Sequence, residues 1–394
     1  MPETSAFPRL RGPGGRPLRV AHLTTVDISL VVLLGTELRT DVDNGLEVFG
    51  LSAPGAWVEK TEGLGVTHVP IPSLTRSWDI RRDLTAAHEM FRVLRHLDLD
   101  VLHTHNPKTG VLGRLLGRAV GIPVVVNTCH GLWLRPGDRF TRKAFVLGTE
   151  TVAALASDFE LYQNADDRQT LRRIVSPNRS LVVGNGIDLN RFQFDKSGRA
   201  RIRHELGVAD AELLVGAVGR RVAEKGIAEF GAAARTLAGK ARFVWIGPDD
   251  PEKSDAVLAD EPGVEFLGER LDMPGVYSAL DVFVLPSYRE GFSRSGMEAA
   301  ACGVPSILSD IRGCREIGAH EREVLLVPPK DVGALTSAIE RLLLDESLRA
   351  RLSTGARKRA LAEFDQRAVA RTSLETYASI ARRKGLGWQI EGGL

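Results

Sequence analysis

Short β-branched and aliphatic runs alternate with longer helix-like segments from Leu18 to about Leu343, and this alternation leaves little choice of fold. Parallel strands need a long crossover, and a helix is the usual one, so the pattern predicts βαβ units and an α/β class. Strands are expected at Arg19–Leu23, Leu46–Leu51, Thr67–Ile71, Val101–Thr104, Val124–Thr128, Phe159–Tyr162 and Leu181–Val183, then at Leu213–Val218, Arg242–Ile246, Val264–Leu267, Val282–Leu285, Ser306–Leu308 and Val324–Val327. The stretch GNGIDLNRFQFDKSGRA after Val183 has turn chemistry and little apolar periodicity, so it reads as a linker with a boundary near Asn185–Phe194. Helices are expected over Val332–Leu343, Glu346–Glu363 and Gln366–Lys384. The expected layout is a flexible tail at 1–17, a Rossmann-like domain at 18–185, a second at 186–365, and a C-terminal helix and tail at 366–394 that can cross back to the first. Such sheets bind ligands at the carboxyl ends of their strands, so two facing domains would enclose a central cleft.

The chain has 394 residues, which at roughly 150 per domain suits two domains. The formal net charge of +2 gives no reason to expect a nucleic-acid partner. Cys129, Cys302 and Cys314 form no CxxC pair and no even framework, which fits a reducing, cytoplasmic setting and argues against structural zinc. Met1–Pro17 lacks the apolar core of a signal peptide, and Ile28–Leu34 falls far short of the roughly 20 residues of a membrane-spanning helix. Membrane contact, where it occurs, is expected to be peripheral.

The segment VFVLPSYREGFSRSGMEAAACGVP, Val282–Pro305, carries the most chemistry. A strand ends at Pro286, a loop holds Glu290, and a helix beginning near Ser293 places Glu298 in its first two turns. A carboxylate there can accept from two vicinal ribose hydroxyls, while the amides of Phe292, Ser293, Arg294 and Ser295 face an anion. Upstream, GAVGRRVAEKG sets Arg220 and Lys225 after another strand end, where two fixed cations suit a departing diphosphate without a metal. Taken singly, each of these residues is equally compatible with an ordinary surface or helix position; their occurrence at equivalent strand ends is what draws them together.

The pieces G-R-x4-K-G (Gly219–Gly226), E-G-F-x5-E-A (Glu290–Ala299), CGVP (Cys302–Pro305) and His130-Gly131 resemble the retaining glycosyltransferases of the GT-B fold, a large family that includes bacterial cell-surface sugar transferases. The resemblance covers about residues 18–375. It implies metal-independent transfer from a nucleotide-sugar with retained configuration and no cofactor. In that frame Arg220 and Lys225 hold the diphosphate beside Gly219, Glu290 the transferred sugar and Glu298 the ribose, with Gly268 near the base and His130 at a sugar hydroxyl or the reaction centre. His130 equally fits a hydrogen-bonded loop histidine.

The stretch VLHTHNPKTGVLGRLLGR places His105, Asn106 and Lys108 at a strand end and helix N-terminus, a seat for an acceptor phosphate. HTHxPKxG resembles the branch of the family that extends polyprenyl-diphosphate-linked saccharides. The alternative is that Lys108 is merely exposed and His103 and His105 pack at the strand end. Many relatives carry paired glycines after the first strand, whereas HLTTVDISLVVLLG has none, so Thr24, Thr25 and Ser29 are the groups left to supply hydroxyls, with Thr25 the candidate. Asp41–Asp43 and Asp98–Asp100 match the metal-binding DxD pattern but lie outside its strand-end context. Arg135, Arg139, Arg142 and Lys143 interleave with Trp133, Phe140 and Phe145, and Arg76, Trp78, Ile80, Arg81 and Arg82 extend the pattern; an anionic membrane surface and an ordinary amphipathic helix both fit it.

The expected function is transfer of a hexose, from UDP ahead of other nucleotides, to a lipid-linked or cell-surface glycan at the inner face of the membrane. The alternatives are a small soluble acceptor of inositol or natural-product type, and a nucleotide-sugar-binding protein without turnover.

Overall fold

The computed structural model describes residues 7–392, apart from 78, 135, 136, 210 and 252. The chain forms two compact units, one from Met1–Gly184 together with Gln366–Leu394, the other from Asn185–Asp365.

In the first unit seven parallel strands run in the spatial order Thr67–Pro70, Glu47–Ala53, Arg19–Val26, Val101–His105, Val124–Cys129, Phe159–Tyr162 and Ser180–Val182. The second unit has six, ordered Glu265–Phe266, Arg242–Ile246, Leu214–Val218, Val282–Leu285, Ser306–Ser309 and Val324–Val327. Both are doubly wound. The first strand of each sheet lies inside it, and the winding reverses between Arg19–Val26 and Val101–His105 in one unit and between Leu214–Val218 and Val282–Leu285 in the other. The crevice at such a reversal is where this architecture accepts ligands.

The central strands are apolar because helices cover both faces. Val215, Val282, Val284 and Trp245 pack on one side of the second sheet with Phe230 and Ile339, and Phe283, Leu285 and Ile246 on the other with Met297 and Leu308. Burying each of the large side chains stabilises the unit by about 1.5–3 kcal/mol. In the first unit Leu374, Tyr377 and Ile380, from the helix Gln366–Lys384, join Val20, Leu38, Val101 and Val124 in one cluster. That helix is therefore part of the first unit's core.

The expected strands all form, with edges moved by at most three residues. The larger difference concerns 1–17, expected as a flexible tail. Arg9–Arg11 is a strand, antiparallel to Gln389–Glu391, and Leu10 is fully buried; residues 1–6 lie outside the described residues. Arg16 then makes a bidentate pair with Asp100 at 2.7 Å for each bond, and the same carboxylate accepts from Arg19 N. Asp98 and Asp100 thus sit at the amino end of their strand as turn and anchor, away from the ligand-binding strand ends.

Candidate active site

In the second unit, the strand Leu214–Val218 runs into Gly219 and Arg220, then a turn of 3-10 helix, Ala223–Lys225, before the helix Ile227–Thr236. Gly226 joins the two with φ +77°, and a Cβ there would stand 2.2 Å from the Pro286 carbonyl oxygen. The lysine loop is thereby pressed against the end of Val282–Leu285, the neighbouring strand at the reversal. Tyr288 N donates to Glu224 O at 2.8 Å, closing the same contact. Lys225 Nζ lies 2.6 Å from Glu290 Oε1, with both side chains mostly buried. The Glu290 backbone is held in turn by Gly313, where a Cβ would come within 2.5 Å of the Glu290 carbonyl oxygen. Arg220 pairs with Asp250.

The helix Arg294–Ala301 begins at Ser293, whose hydroxyl accepts from Gly296 N at 3.0 Å. Glu298 is 8% exposed; Tyr277 Oη donates to its Oε2 at 2.9 Å and Arg294 Nε to its Oε1 at 3.0 Å. Burial raises its pKa, and the Arg294 charge and the Tyr277 and Arg294 hydrogen bonds oppose the rise. Each carboxylate oxygen keeps a second lone pair, so Glu298 can still accept from a diol. Gly268, with φ +65°, follows the edge strand Glu265–Phe266, and its carbonyl accepts from Gly247 N at 2.8 Å.

In the first unit, Arg19–Val26 passes directly into the helix Asp27–Val32. The Asp27 carboxylate accepts from Ile28 N at 2.8 Å and Trp57 N at 2.7 Å, which fixes this strand end with backbone amides where paired glycines were expected. Thr25 N donates to Asn106 Oδ1 at 3.1 Å, so the two strands at the reversal are tied across it. His105 is fully buried and its Nδ1 lies 3.0 Å from His130 Nε2. Burial holds the His130 ring down at a pKa of about 4, against a small upward pull from Gln163, so at neutral pH the ring is uncharged.

Two family models match, "Glycosyl transferase 4-like domain" over residues 31–186 and "Glycosyl transferases group 1" over residues 212–345. A D-inositol 3-phosphate glycosyltransferase of Xylanimonas cellulosilytica is 30% identical over 308 residues, which cover 72% of this chain and 73% of the relative. The chain belongs to the group 1 glycosyltransferases. A UDP-Gal:alpha-D-GlcNAc-diphosphoundecaprenol alpha-1,3-galactosyltransferase of Escherichia coli is similar to this glycosyltransferase at 28% identity over 292 residues, 71% of this chain and 75% of the relative. Sucrose-phosphate synthase of Thermosynechococcus elongatus superposes with a TM-score of 0.77 at 22% identity, covering 93% of this chain and all of that one. The glycosyltransferase accordingly has the GT-B fold of two Rossmann-like units.

The structure corrects some of the expected site residues. Lys108 is neither exposed nor available as a simple phosphate seat: it is 3% exposed, pairs with Asp83 and donates to the Ser77 carbonyl and Thr75 hydroxyl. Of the amides expected to face an anion, that of Ser293 is already donated to Gly313 O at 3.3 Å. Within the basic–aromatic stretch, Arg142 stacks on Trp133 at 4.4 Å and pairs with Asp138, so it is a structural arginine; Trp78 and Arg135 lie outside the described residues. The sequence marked Asp41 only as half of a DxD match and gave His22 no role, whereas the two are fully buried and 2.9 Å apart. The one available hint was that Asp41 sits at helical spacing from Leu38 and Glu37, on the face that becomes buried.

Proposed function

We propose that this glycosyltransferase moves a hexose from a UDP-sugar to a lipid-linked saccharide at an anionic membrane surface, with retained configuration and without a metal. The second unit supplies the donor site. Lys225 has three N–H donors and Glu290 takes one, which leaves donors for diphosphate oxygens; Arg220 keeps donors beyond its pair with Asp250 in the same way. Two cations at one strand end supply the charge that a metal provides elsewhere. Both DxD pairs are otherwise engaged, Asp100 by Arg16 and Asp41 by His22. Glu298 is assigned to the ribose, Glu290 to the sugar, Gly219 and Gly268 to the phosphate and base ends, and His130, Thr25 and Asn106 to the acceptor side.

The observation that carries the lipid-linked reading is an uncovered apolar face in the first unit. On the helix Phe140–Ala156, Phe145, Val152 and Leu155 share one side at helical spacing and all are exposed, with Phe140, Arg139 and Lys143 at its start. The helix Ile80–His96 opens likewise with exposed Ile80 and Leu84 beside Arg81 and Arg82. Aliphatic and aromatic groups among arginines suit the headgroup boundary of anionic lipid. Among the described residues no helix is long and apolar enough to cross a membrane. Sedimentation with anionic vesicles tests this reading. The wild type is expected to pellet with them, and a variant with Arg81, Arg82, Arg139 and Lys143 replaced by Gln, together with Phe145→Ser, to stay in the supernatant. Failure of the wild type to pellet would favour the second reading, a small soluble acceptor of inositol type, which the Xylanimonas relative supports. Transfer is expected to survive EDTA; an absolute need for a divalent ion would overturn the metal-free assignment.

A further inference from the structure

In the first unit, His22 within the strand Arg19–Val26, Asp41 on the helix Gly35–Asp43 that follows it, His105 at the end of Val101–His105 and His130 just after Val124–Cys129 come into a single file. Asp41 Oδ2 lies 2.9 Å from His22 Nε2, His22 Nδ1 lies 3.2 Å from His105 Nε2, and His105 Nδ1 lies 3.0 Å from His130 Nε2. Asp41, His22 and His105 are fully buried. His130 Nδ1, at the far end, is buried and has no hydrogen-bond partner of good geometry, with Gln163 as its polar neighbour. His22, His103 and His105 also lie close enough to suggest a metal site, with ring nitrogens within 4.8 Å of one another. His103, however, uses both of its nitrogens on protein, at 2.6 Å from Tyr377 Oη and 2.7 Å from Thr128 Oγ1. What remains is a file of hydrogen bonds.

A carboxylate can only accept, so Asp41 sets the direction of every bond behind it. His22 donates Nε2–H to Asp41 and must accept at Nδ1; His105 then donates Nε2–H and accepts at Nδ1; His130 donates Nε2–H. Its Nδ1 is left as a bare lone pair. We infer that Asp41, His22 and His105 are positioning residues of a proton relay that holds His130 as the Nε2–H tautomer and makes its Nδ1 an acceptor for a substrate hydroxyl. A proton received at His130 Nδ1 displaces the Nε2 proton onto His105 Nδ1, and the His105 Nε2 proton passes to His22 Nδ1. The net product is a His22 imidazolium against the Asp41 carboxylate, with His105 and His130 again neutral. Burial lowers the pKa of His105 and His130, whereas His22 is raised because the bond to Asp41 and the charges of Asp41 and Glu37 outweigh burial, so His22 is where the proton rests. The other titratable groups facing the relay are Glu37 and His103, 3.5 Å apart, and Tyr377. The inferred contact with substrate rests on the reading of His130 as an acceptor-side residue; the tautomer does not.

The test is the tautomer itself, read by long-range proton–nitrogen spectra of the full chain carrying nitrogen-15 histidine, without ligand and at a pH where the spectra show His22 neutral. His130 is expected as Nε2–H in the wild type. In Asp41→Asn the carboxamide NH2 can donate to His22 Nε2, which reverses the file and makes His130 Nδ1–H. Turnover in that variant should fall by about a hundredfold or more, the scale on which a general base or its orienting carboxylate acts. The wild type should also show an acid limb in kcat/KM, because protonating the His22–Asp41 pair turns His130 Nδ1 into a donor; Asp41→Asn should lack that limb. A wild-type His130 in the Nδ1–H form overturns the relay, and this holds even if the variant does not fold. So does an Asp41→Asn spectrum with His130 still Nε2–H, or one equivalent of zinc in the purified protein. A reversed tautomer with unchanged turnover upholds the relay and overturns the contact of His130 with substrate.

Discussion

Lys225→Ala separates catalysis from folding more cleanly than any other change in the second unit. The ammonium sits on a loop 2.6 Å from Glu290 Oε1, with the lysine and glutamate side chains 17% and 13% exposed. Its removal leaves the Glu290 carboxylate without its ion pair but within reach of water, so the folded state should lose about 1–2 kcal/mol, at or below the usual value for a hydrogen bond to a charged group. A domain of 150–250 residues shifts by about 2–4 °C per kcal/mol, so Tm should fall by only a few degrees. The same deletion takes one fixed donor from the place where diphosphate charge develops, which costs about 2.7–4 kcal/mol, or about 10²–10³ in turnover. Initial rates of sugar release and transfer, with thermal unfolding run on the same samples, measure both quantities. Turnover within about threefold of the wild type, with the unfolding curve intact, would refute the assignment of Lys225 to the leaving group.

Arg114→Met should be far more damaging to stability. Arg114 is 1% exposed and bridges Glu160 at 2.8 Å and Glu150 at 2.6 Å, so the variant strands two carboxylates and should lose about 3–5 kcal/mol in urea denaturation. Gly226→Ala, with positive φ and a Cβ meeting the Pro286 carbonyl, should cost about 1–2 kcal/mol from the backbone alone, more from the clash, and should lower turnover because Lys225 is its neighbour. Acid should destabilise the first unit before the second. The pKa of His130 is about 4 when folded against 6.5 unperturbed, so the unfolded chain binds the extra proton between those values and stability falls as pH drops through that window, by about 3 kcal/mol from His130 alone. The depressed pKa values of His103 and His105 add to this loss and the raised one of His22 opposes it. Urea midpoints at neutral pH and near pH 5, followed by probes in each unit, check the order.

The alternation of strands and helices was legible because each βαβ unit is local: the apolar run, its turn and its crossover lie within a few tens of residues. Arg220, Lys225, Glu290 and Glu298 were legible for a related reason, since each lies in the loop or the first helical turns that follow a predicted strand. The features that were not legible are those whose partners are distant. The Arg9–Arg11 strand is three residues long and pairs at the opposite end of the sequence, so no local pattern marks it. Lys108 read as a cation open to an acceptor phosphate because Asp83 belongs to a different crossover, and Asp41 read as half of a DxD match because its partner His22 lies on another element. Glycines after the first strand were sought because relatives have them; here a side chain, Asp27, binds the amides that those glycines would leave open.

The pairing of Arg9–Arg11 with Gln389–Glu391 and the docking of Gln366–Lys384 onto the first sheet have a consequence for biosynthesis. A ribosome releases residues in order, and domains ordinarily fold as they emerge, first made first folded. Here residues 185–365 complete their own sheet and core while the unit begun before them still lacks Leu374, Tyr377 and Ile380. The second unit is therefore free to fold first, and the first must wait with Val20, Val101 and Val124 incompletely covered until the final helix is made. That interval, rather than the finished protein, is where a chaperone would have most to do.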